Sequence, residues 1–452
     1  MSSSRLRGVK VIVAGAGMAG LSAAHALQEE SAEVVVVEAR DRVGGRVWTV
    51  RDGFEHGQHA EGGADLIEPE QTDVLELVRE LGLKTSKILR RGFGYYGPDR
   101  DGRPKMQSQK ATFERFAELL DPLVREYKLN DERWTGAIAD RLGRTSVAEW
   151  LDGLAGPASP PHNDEWLKQR FRALRGLFLA DPERLSLLML VEFFADDSAP
   201  PYGLMRITDG NDRLATELAR RLQKPASLKA ILRRVRQDER GVTATIDVKG
   251  KLVERAADFL VCTLPPTTTR DVIFEPALSD VQHRAIETVD LGPATRVLLQ
   301  FDRRFWRRAS QANAFGSPYA IGAVWDGNEQ QRGAAGILSL LAGGGASGEL
   351  QEILEHDGTS AVVPHLAWLG RPANLLAART ITWEHDPWAK GGYAFFDTSF
   401  NPSDRDALAR PAGRVLFAGE HTAIRWQGYL NGAIESGKRA AAEVRALSRE
   451  SL

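Results

Sequence analysis

The sequence predicts an α/β protein, and three observations near its amino terminus carry that prediction. Residues 11–14 form a short apolar run suited to a strand buried on both faces of a parallel sheet. A glycine-rich turn follows, and the Ala- and Leu-rich residues 21–29 predict a helix. A second apolar run at 34–37 completes a strand–helix–strand unit, whose two strands must lie parallel.

The turn after the first strand is built like a dinucleotide site. Gly15, Gly17 and Gly20 have the spacing in which the first glycine makes a tight turn, the second admits a pyrophosphate and the third lets helix and strand pack closely. The helix N-terminus at Ala19 presents unpaired N–H groups to the phosphates. Glu38 ends the second strand roughly 20 residues later, where a carboxylate accepts the ribose hydroxyls of an adenosine. The unit therefore predicts a Rossmann-like domain.

The residues directly after Glu38 distinguish between the two common dinucleotides. Ala39 and Arg40 begin a loop that continues to Gly45 and Arg46 and is rich in glycine and arginine. Such a loop offers a second contact surface for phosphate and ribityl groups, which an NAD domain does not need. We therefore expect FAD rather than NAD.

Helical and strand patterns alternate along the rest of the chain. Apolar residues recur at helical spacing over 71–81, and the pattern from about 112 to 190 is mainly helical, with a proline-rich break at 156–162. We interpret this helical stretch as a cap over the site. The remaining predicted elements are helices at 214–222, 349–354 and 426–447, and strands at 227–237, 242–248, 259–264, 334–341, 379–383 and from 415.

Several blocks of the chain resemble the flavin-containing amine oxidase family, which includes monoamine, polyamine and L-amino-acid oxidases. Glu-Ala-Arg-Asp-Arg-Val-Gly-Gly-Arg at 38–46 is similar to a signature of that family, as are blocks at 60–65, 206–214, 259–266 and 413–444. The resemblance implies a Rossmann-like FAD-binding domain that is discontinuous over 1–70, 203–295 and 390–452. It also implies an α+β substrate-binding domain with a helical cap, over 71–202 and 296–389.

The resemblance implies further contacts with FAD. Ile231 would lie against the adenine and Trp383 against the flavin ring, and the Leu430 N–H would face the flavin N1/O2 region. Tyr393 stands where some members carry a cysteine bonded to the flavin, and the one cysteine, Cys262, lies elsewhere, so FAD is expected to bind non-covalently. The other implied cofactor contacts are Gly62, Gly63, Ala64, Asp65, Gly419 and Glu420.

The resemblance also implies three catalytic residues. Trp426 and Tyr429 match an aromatic surface that binds and orients an amine beside the flavin. Arg296 stands where the family has a lysine that holds a water against flavin N5, and arginine keeps the charge but does not give up its proton. The alternative is that Arg296 is a solvated strand residue without this role. The sequence therefore does not predict how fast the reduced flavin reacts with oxygen. Ala394 replaces a second cage tyrosine, which leaves room for a bulkier substrate.

The reaction that the resemblance implies is the two-electron oxidation of a C–N bond. A hydride passes from the α-carbon of a neutral amine to flavin N5, the imine hydrolyses, and O2 is reduced to H2O2. One alternative is an L-amino-acid oxidase, in which Arg175 would substitute for the carboxylate-binding arginine that Leu66 replaces. Another is an FAD-dependent desaturase or oxidase acting on C–C bonds. A flavin-binding protein without turnover and an NAD-binding module are the remaining interpretations.

Composition excludes several other classes of protein. Lys plus Arg is 59 and Asp plus Glu is 61, so no net field attracts nucleic acid or an anionic membrane. No apolar stretch reaches the roughly 20 residues that span a bilayer, and no apolar signal segment precedes the first strand. With a single cysteine, these features predict a cytoplasmic protein that acts on a small molecule, with a homodimer as an option.

Other polar residues receive no place in the site. His56 and His59 lack the carboxylate or thiol that would complete a ligand set, so no metal is expected. His385 and His421 lie in motifs near the flavin but have no assigned role. Four arginines are interpreted as a solvated edge: Arg303, Arg304, Arg307 and Arg308.

Overall fold

The structure is a computed structural model that describes residues 6–99, 101–108, 110–154, 163–195 and 203–450. Its α-helices are α1 (Met18–Glu29), α2 (Thr72–Glu80), α3 (Lys110–Leu129), α4 (Ala137–Arg144), α5 (Val147–Gly153), α6 (Asn163–Arg172), α7 (Arg175–Phe178), α8 (Leu187–Ala195), α9 (Arg213–Arg220), α10 (Pro266–Thr269), α11 (Asp280–Thr288), α12 (Gly345–Asp357) and α13 (Leu430–Glu450). The predicted proline-rich break at 156–162 lies outside the described residues.

The strands belong to several sheets, and short 3-10 helices connect them. The strands are β1 (Lys10–Ala14), β2 (Glu33–Glu38), β3 (Thr49–Val50), β4 (Ala60–Glu61), β5 (Thr85–Lys87), β6 (Phe93–Pro98), β7 (Pro104–Ser108), β8 (Met205–Ile207), β9 (Ser227–Leu228), β10 (Ala230–Gln237), β11 (Val242–Val248), β12 (Lys251–Ala257), β13 (Phe259–Cys262), β14 (Ile273–Glu275), β15 (Asp290–Leu291), β16 (Ala294–Phe301), β17 (Ala314–Gly316), β18 (Ala323–Asp326), β19 (Gly336–Gly343), β20 (Leu375–Thr382), β21 (Ala394–Phe395) and β22 (Val415–Phe417). The 3-10 helices are Glu55–Gly57, Thr359–Leu369, Trp383–His385, Pro402–Leu408 and Glu420–Thr422.

A parallel sheet of order β22-β13-β1-β2-β9 forms the first layer, and it confirms the α/β prediction. Its strands come from three separate parts of the chain, so this layer is discontinuous, while the domain boundaries stay a prediction. Helices α1 and α13 pack against each other beside the sheet. A Cβ added at Gly437 would overlap the Ala19 carbonyl oxygen, so the two helices cross too closely for any side chain there.

The chain leaves this sheet at Lys229. The predicted strand 227–237 is in fact two strands, because β9 pairs with β2 while β10 joins a separate sheet of order β12-β11-β10-β14. Lys229 lies between them with a left-handed φ of 55°. Its N–H donates to the Arg40 carbonyl at 2.9 Å, which fixes the corner against the loop after β2.

The largest sheet has the order β20-β16-β19-β18-β17-β6-β7. Strand β16, next to the edge strand β20, is buried along its whole length and pairs antiparallel with β19 and β20, which correspond to the predicted strands at 334–341 and 379–383. The hairpin of β6 and β7 was not predicted. Because β7 is largely exposed, its sequence lacks the apolar alternation that marks a half-buried strand.

Helices α3 to α8 form the predicted cap and share one apolar core with residues from the carboxyl-terminal part of the chain. Phe116, Phe171 and Leu188 lie in that core. Phe395 and Phe396, which come after β20 in the sequence, lie there as well. Within the ranges described above, no helix combines the length and the apolar character needed to cross a membrane.

The predicted solvated edge of arginines is wrong for Arg304. Its side chain is 5% exposed and its Nη1 lies 3.1 Å from Oδ1 of Asp326. The other carboxylate oxygen of Asp326 accepts Nε of Arg307 at 2.8 Å and the indole N–H of Trp306 at 3.0 Å. Asp326 is fully buried in β18, so it holds the Arg304 side chain inside the fold, whereas Arg303, Arg307 and Arg308 are exposed as predicted.

Candidate active site

The glycine-rich turn after β1 opens into a large cavity. A Cβ added at Gly20 would overlap the Gly15 carbonyl oxygen, so only glycine fits where α1 crosses the turn. A Cβ at Gly17 would meet no heavy atom within 4 Å, and Gly17 lines the cavity. The Gly17 carbonyl accepts the N–H of Leu21 at 2.9 Å, which leaves the N–H groups before Leu21 without an acceptor inside the helix. The turn therefore presents donors to the cavity at a point with open space.

Glu38 is buried at the carboxyl end of β2 and also lines the cavity. Its Oε2 accepts the Ala16 N–H at 2.7 Å and its Oε1 accepts the Arg40 N–H at 2.8 Å. These bonds fix the orientation of the carboxylate. A carboxylate has about four acceptor positions, so two bonds leave it able to accept hydroxyl groups of a ligand.

The loop after Glu38 is tied to the carboxyl-terminal part of the chain. Arg40 forms two hydrogen bonds of 2.6 Å with the carboxylate of Asp386 and lies 5.9 Å from the ring centroid of Trp383. Arg46 donates to the Gly392 carbonyl at 2.6 Å and to Oε1 of Glu420 at 2.8 Å. Motifs that are more than 300 residues apart in the sequence therefore meet around one space.

Glu420 and Gly419 connect the same loop to the start of α13. Oε1 of Glu420 also accepts the Ala394 N–H at 3.2 Å, and its Oε2 accepts the Gly428 N–H at 2.8 Å. The predicted helix at 426–447 begins later than expected, since α13 starts at Leu430 after a turn in which Gly428 has a φ of 81°. The N-terminus of α13 nevertheless faces the cavity through Leu430.

Asp65 is the centre of a buried group of charges. Its Oδ1 accepts Nε of Arg206, and its Oδ2 accepts the indole N–H of Trp325 at 2.7 Å and Nη1 of Arg296 at 3.2 Å. Glu61 lies close by, and burial together with the charge of Asp65 raises its pKa to about 8. The cluster therefore combines the guanidinium groups of Arg206 and Arg296 with the carboxyl groups of Asp65 and Glu61, and the raised pKa of Glu61 favours its neutral form.

Arg296 is buried in β16 rather than solvated. Besides Asp65, its Nη1 lies 3.1 Å from the Glu61 carbonyl oxygen and 3.3 Å from Oγ of Ser339, and its guanidinium lies 4.9 Å from the ring centroid of Trp325. Burial lowers the pKa of Arg296, and the charge of Asp65 opposes that effect. Its Nε has no hydrogen-bond partner among the described residues, and Arg296 lines the cavity.

The aromatic residues predicted for the site lie together. The rings of Trp426 and Tyr429 are 5.5 Å apart at an interplanar angle of 77°. Tyr393 is half-buried, and desolvation raises the pKa of its hydroxyl, which donates to the carbonyls of Gly176 and Leu177 at 2.9 Å each. This hydrogen bonding joins the flavin-motif segment to α7 of the cap.

A single cavity of about 1620 Å³ is bounded by nearly all of the predicted site residues. Gly20 and Gly62 are outside its lining; Gly20 packs against the turn, and the Gly62 carbonyl accepts the indole N–H of Trp383 at 3.0 Å. The predicted residues that line the cavity are Gly15, Gly17, Ala19, Glu38, Ala39, Arg40, Gly45, Arg46, Gly63, Ala64, Asp65, Ile231, Arg296, Trp383, Gly419, Glu420, Trp426, Tyr429 and Leu430.

Sequence reasoning missed several residues of the cavity. Trp325 and Phe315 lie on strands without a recognisable motif, and only the pairing of the large sheet brings them to the site. Phe193 and Phe194 of α8 also line it, although a helical apolar stripe alone indicates nothing more than core. No signal in the sequence distinguishes these residues from ordinary buried ones.

His385, His421 and Arg175 lie outside the cavity lining. His385 is exposed, whereas His421 is buried, and burial lowers its pKa to about 4. Arg175 is occupied, because it donates to Asp181 at 3.1 Å and to the Pro318 carbonyl at 2.7 Å. In the part of the chain that the structure describes, no group of three or more His, Cys, Asp or Glu side chains could hold a metal ion.

Comparisons with known proteins agree with this geometry. Flavin-containing amine oxidase B from Sus scrofa is 25% identical over 465 residues, which cover 96% of this chain and 85% of that protein. Flavin-containing amine oxidase A from Canis lupus familiaris is 24% identical over 471 residues, 96% of this chain and 84% of that protein.

Solved structures share the fold along nearly the whole length. Cyclohexylamine oxidase from Brevibacterium oxydans IH-35A matches with a TM-score of 0.84 at 23% identity, covering 98% of this chain and 99% of that chain. Wild-type putrescine oxidase bound to putrescine matches with a TM-score of 0.81 at 23% identity, covering 97% of this chain and 99% of that chain. The family model described as flavin containing amine oxidoreductase matches residues 18–445. The chain belongs to this family of flavin-containing amine oxidoreductases.

Proposed function

We propose that this chain is an FAD-dependent amine oxidase. It would oxidise the C–N bond of a small amine to an imine, which water hydrolyses to a carbonyl compound and ammonia or a smaller amine. The observation that carries the proposal is the single cavity of about 1620 Å³, which both the dinucleotide motifs and the pair of Trp426 and Tyr429 line. Sites for one small ligand occupy roughly 300–1,000 Å³, so this cavity has room for a dinucleotide and a substrate together.

The residues of the FAD end fit the cofactor. The open N–H groups at the start of α1 suit a pyrophosphate, and the fixed carboxylate of Glu38 suits the ribose hydroxyls. The N-terminus of α13 at Leu430 favours negative charge, as an isoalloxazine ring carries after reduction. When bound, the flavin supplies the two-electron acceptor that no side chain provides.

Side chains at the other end bind and orient the amine. The rings of Trp426 and Tyr429 offer an apolar and cation-facing surface, and the apolar lining excludes water from the reacting carbon. The amine loses a hydride from its α-carbon and a proton from its nitrogen, and O2 takes up these two electrons together with two protons to give H2O2. Among the described residues that line the cavity there is no histidine, which agrees with a reaction that needs no strong base.

Two positions argue against an α-amino acid as the substrate. Leu66 is apolar and lines the cavity, and Arg175 is already paired with Asp181, so neither offers a free cation to a substrate carboxylate.

Anaerobic mixing of the holoenzyme with a panel of amines, amino acids and polyamines tests the proposal. We expect the absorbance of the oxidised flavin to disappear with amines and to persist with amino acids. Exposure to oxygen should then restore it and release H2O2 in a one-to-one ratio to the amine consumed. A flavin that no member of the panel bleaches would contradict the proposal.

We also propose that FAD is held without a covalent bond. Tyr393 follows Gly391 and Gly392, and the thiol of Cys262 is buried in β13 outside the cavity lining. Acid precipitation should release all of the flavin into the supernatant, whereas a flavin that stays with the protein pellet would refute this point. The cytoplasmic location and the homodimer remain predictions, which cell fractionation and sedimentation can test.

A further inference from the structure

Arg405 is a buried cation that contacts both the cap and the segment before α13. It lies in the 3-10 helix Pro402–Leu408, and its side chain is 4% exposed. Its Nη1 donates to both carboxylate oxygens of Glu192 in α8, at 2.8 and 2.9 Å. Its Nη2 donates to the Ile424 carbonyl at 2.8 Å and to Oε1 of Gln427 at 3.3 Å. One guanidinium group therefore joins a cap helix to the segment before α13.

The cap side fixes the orientation of this guanidinium group. Its central carbon lies 3.9 Å from the ring centroid of Trp134 and 5.1 Å from that of Phe396. The indole N–H of Trp134 donates to Oε1 of Glu192 at 2.9 Å, the same oxygen that accepts Nη1 of Arg405. A planar group that stacks on a ring and donates to a carboxylate has little freedom to rotate. The direction in which Nη2 donates is therefore set by the cap.

The segment that Nη2 holds carries the aromatic pair of the site. Trp426 directly precedes Gln427, and Tyr429 follows Gln427 two residues later. The side-chain amide of Gln427 also donates to the Ala394 carbonyl at 2.7 Å, and the Tyr429 N–H donates to the Trp426 carbonyl at 3.1 Å. The backbone that presents both rings to the cavity is therefore fastened to the cap through Arg405.

A lysine at position 405 could keep only one side of this contact. Arginine reaches Glu192 with Nη1 and the Ile424 carbonyl with Nη2, which are separate nitrogens of one planar group. A single ammonium nitrogen paired with Glu192 leaves the Ile424 carbonyl and Gln427 without this donor. Charge alone therefore preserves the ion pair but not the attachment of the segment.

We propose that Arg405 is a positioning residue for the amine oxidation. It holds Trp426 and Tyr429 where a bound amine presents its α-carbon to the flavin. This inference rests on the proposed function and adds a residue to that same site. A displacement of about 1 Å caused by a remote substitution can slow a reaction by about 100-fold, so the contacts of one side chain are enough to control the limiting rate.

Arg405→Lys tests this role, and Arg284→Lys is the matched control. Arg284 donates to both carboxylate oxygens of Asp404, directly before Arg405, at 2.7 and 3.1 Å. The holoenzyme is mixed anaerobically with increasing concentrations of the amine that reduces the wild type fastest, which yields a limiting rate of flavin reduction and a Kd. We expect Arg405→Lys to lower the limiting rate by about tenfold or more. Its Kd should change less, because both rings are still present, and Arg284→Lys should leave both values unchanged.

Expressing the limiting rate per bound flavin separates orientation from stability. A purely structural role of Arg405 would lower the flavin content and the urea midpoint but leave the rate per bound flavin unchanged. That result, or an equal loss of rate in Arg284→Lys, would overturn the inference. If no amine reduces the flavin of the wild type, the proposed function itself fails.

A second comparison applies if Arg405→Lys does not retain FAD. The double variant Glu192→Gln with Arg405→Gln removes both charges together, so no unpaired buried charge remains. Glu192→Gln alone is its reference, because the amide oxygen can still accept Nη1 and the Nη2 contacts persist. The double variant should have a limiting rate about tenfold or more below that reference. A smaller difference would show that Arg405 does not position the aromatic pair.

Discussion

Replacing Gly17 by alanine should weaken FAD binding without changing the stability of the fold. Gly17 has a φ of −73°, which alanine adopts freely, and its Cβ would meet no protein atom within 4 Å. The apoprotein should therefore keep its stability. The new methyl group would nevertheless lie at the N-terminus of α1, between the N–H groups of Met18 and Ala19 and a bound pyrophosphate.

The size of the effect follows from the hydrogen bonds that the methyl group displaces. A hydrogen bond to a charged group contributes about 1.5–3 kcal/mol, so the loss of one such bond weakens FAD binding by roughly 10- to 150-fold. Titration of the apoprotein with FAD, followed by flavin fluorescence, measures this change. Thermal unfolding of the same apoprotein measures the stability separately.

Two other glycines provide the matched controls. Gly348 is exposed in α12, and its Cβ would also meet nothing within 4 Å, so Gly348→Ala should leave FAD affinity unchanged and stabilise the helix by about 0.5–1 kcal/mol. Gly20→Ala would force a methyl group onto the Gly15 carbonyl and should prevent folding of the turn. The reasoning is refuted if Gly17→Ala binds FAD as tightly as the wild type, or if it unfolds as Gly20→Ala does.

Three further substitutions test the buried polar groups. Burial and the neighbouring acid raise the pKa of Glu61 from 4.5 to about 8, so between these pH values the folded state keeps a proton that the unfolded chain loses. The free energy of unfolding should therefore fall as pH rises from about 4.5 to 8. Glu61→Gln should flatten this pH dependence, as measured by urea titrations at several pH values. Asp326→Asn leaves Arg304 and Arg307 without their counter-charge and should cost about 3–5 kcal/mol in urea unfolding; a loss below 1 kcal/mol would contradict the pairing. Tyr393→Phe removes the hydroxyl that donates to two carbonyls of α7, and it should lower the free energy of unfolding by about 1–3 kcal/mol while the flavin spectrum persists. Loss of the flavin would instead show that the hydroxyl is needed for cofactor binding.

The parts of the structure that sequence predicted well are those set by neighbours in the chain. The turn at Gly15 and the acid at Glu38 belong to one short unit, and the strand, turn and helix patterns there agree with one another. The start of β1 differs from the prediction by one residue and the start of α1 by three, whereas α1 ends at Glu29 as predicted. Local pattern was enough because each element buries its face against the next one.

The parts that sequence did not predict depend on partners far away in the chain. Asp326 forms a buried ion pair with Arg304, and no pattern around Arg304 indicates that partner. The sequence does not predict the change of sheet at Lys229 either. Residues on both sides of Lys229 favour strands, and only the pairing of β9 with β2 shows that they belong to two strands. Long-range pairing decided both outcomes.

The cluster around Asp65 connects the unexpected burial of Arg296 to the chemistry of the site. Arg206 and Arg296 both pair with Asp65, so the positive charge of two guanidinium groups faces one carboxyl group at the wall of the cavity, and the raised pKa of Glu61 favours its neutral form. Such a charge stabilises a ring that becomes negative on reduction, as a lysine at position 296 would. Arginine therefore preserves the electrostatic part of the site, while its hydrogen bonds to Asp65 and the Glu61 carbonyl fix where that charge lies.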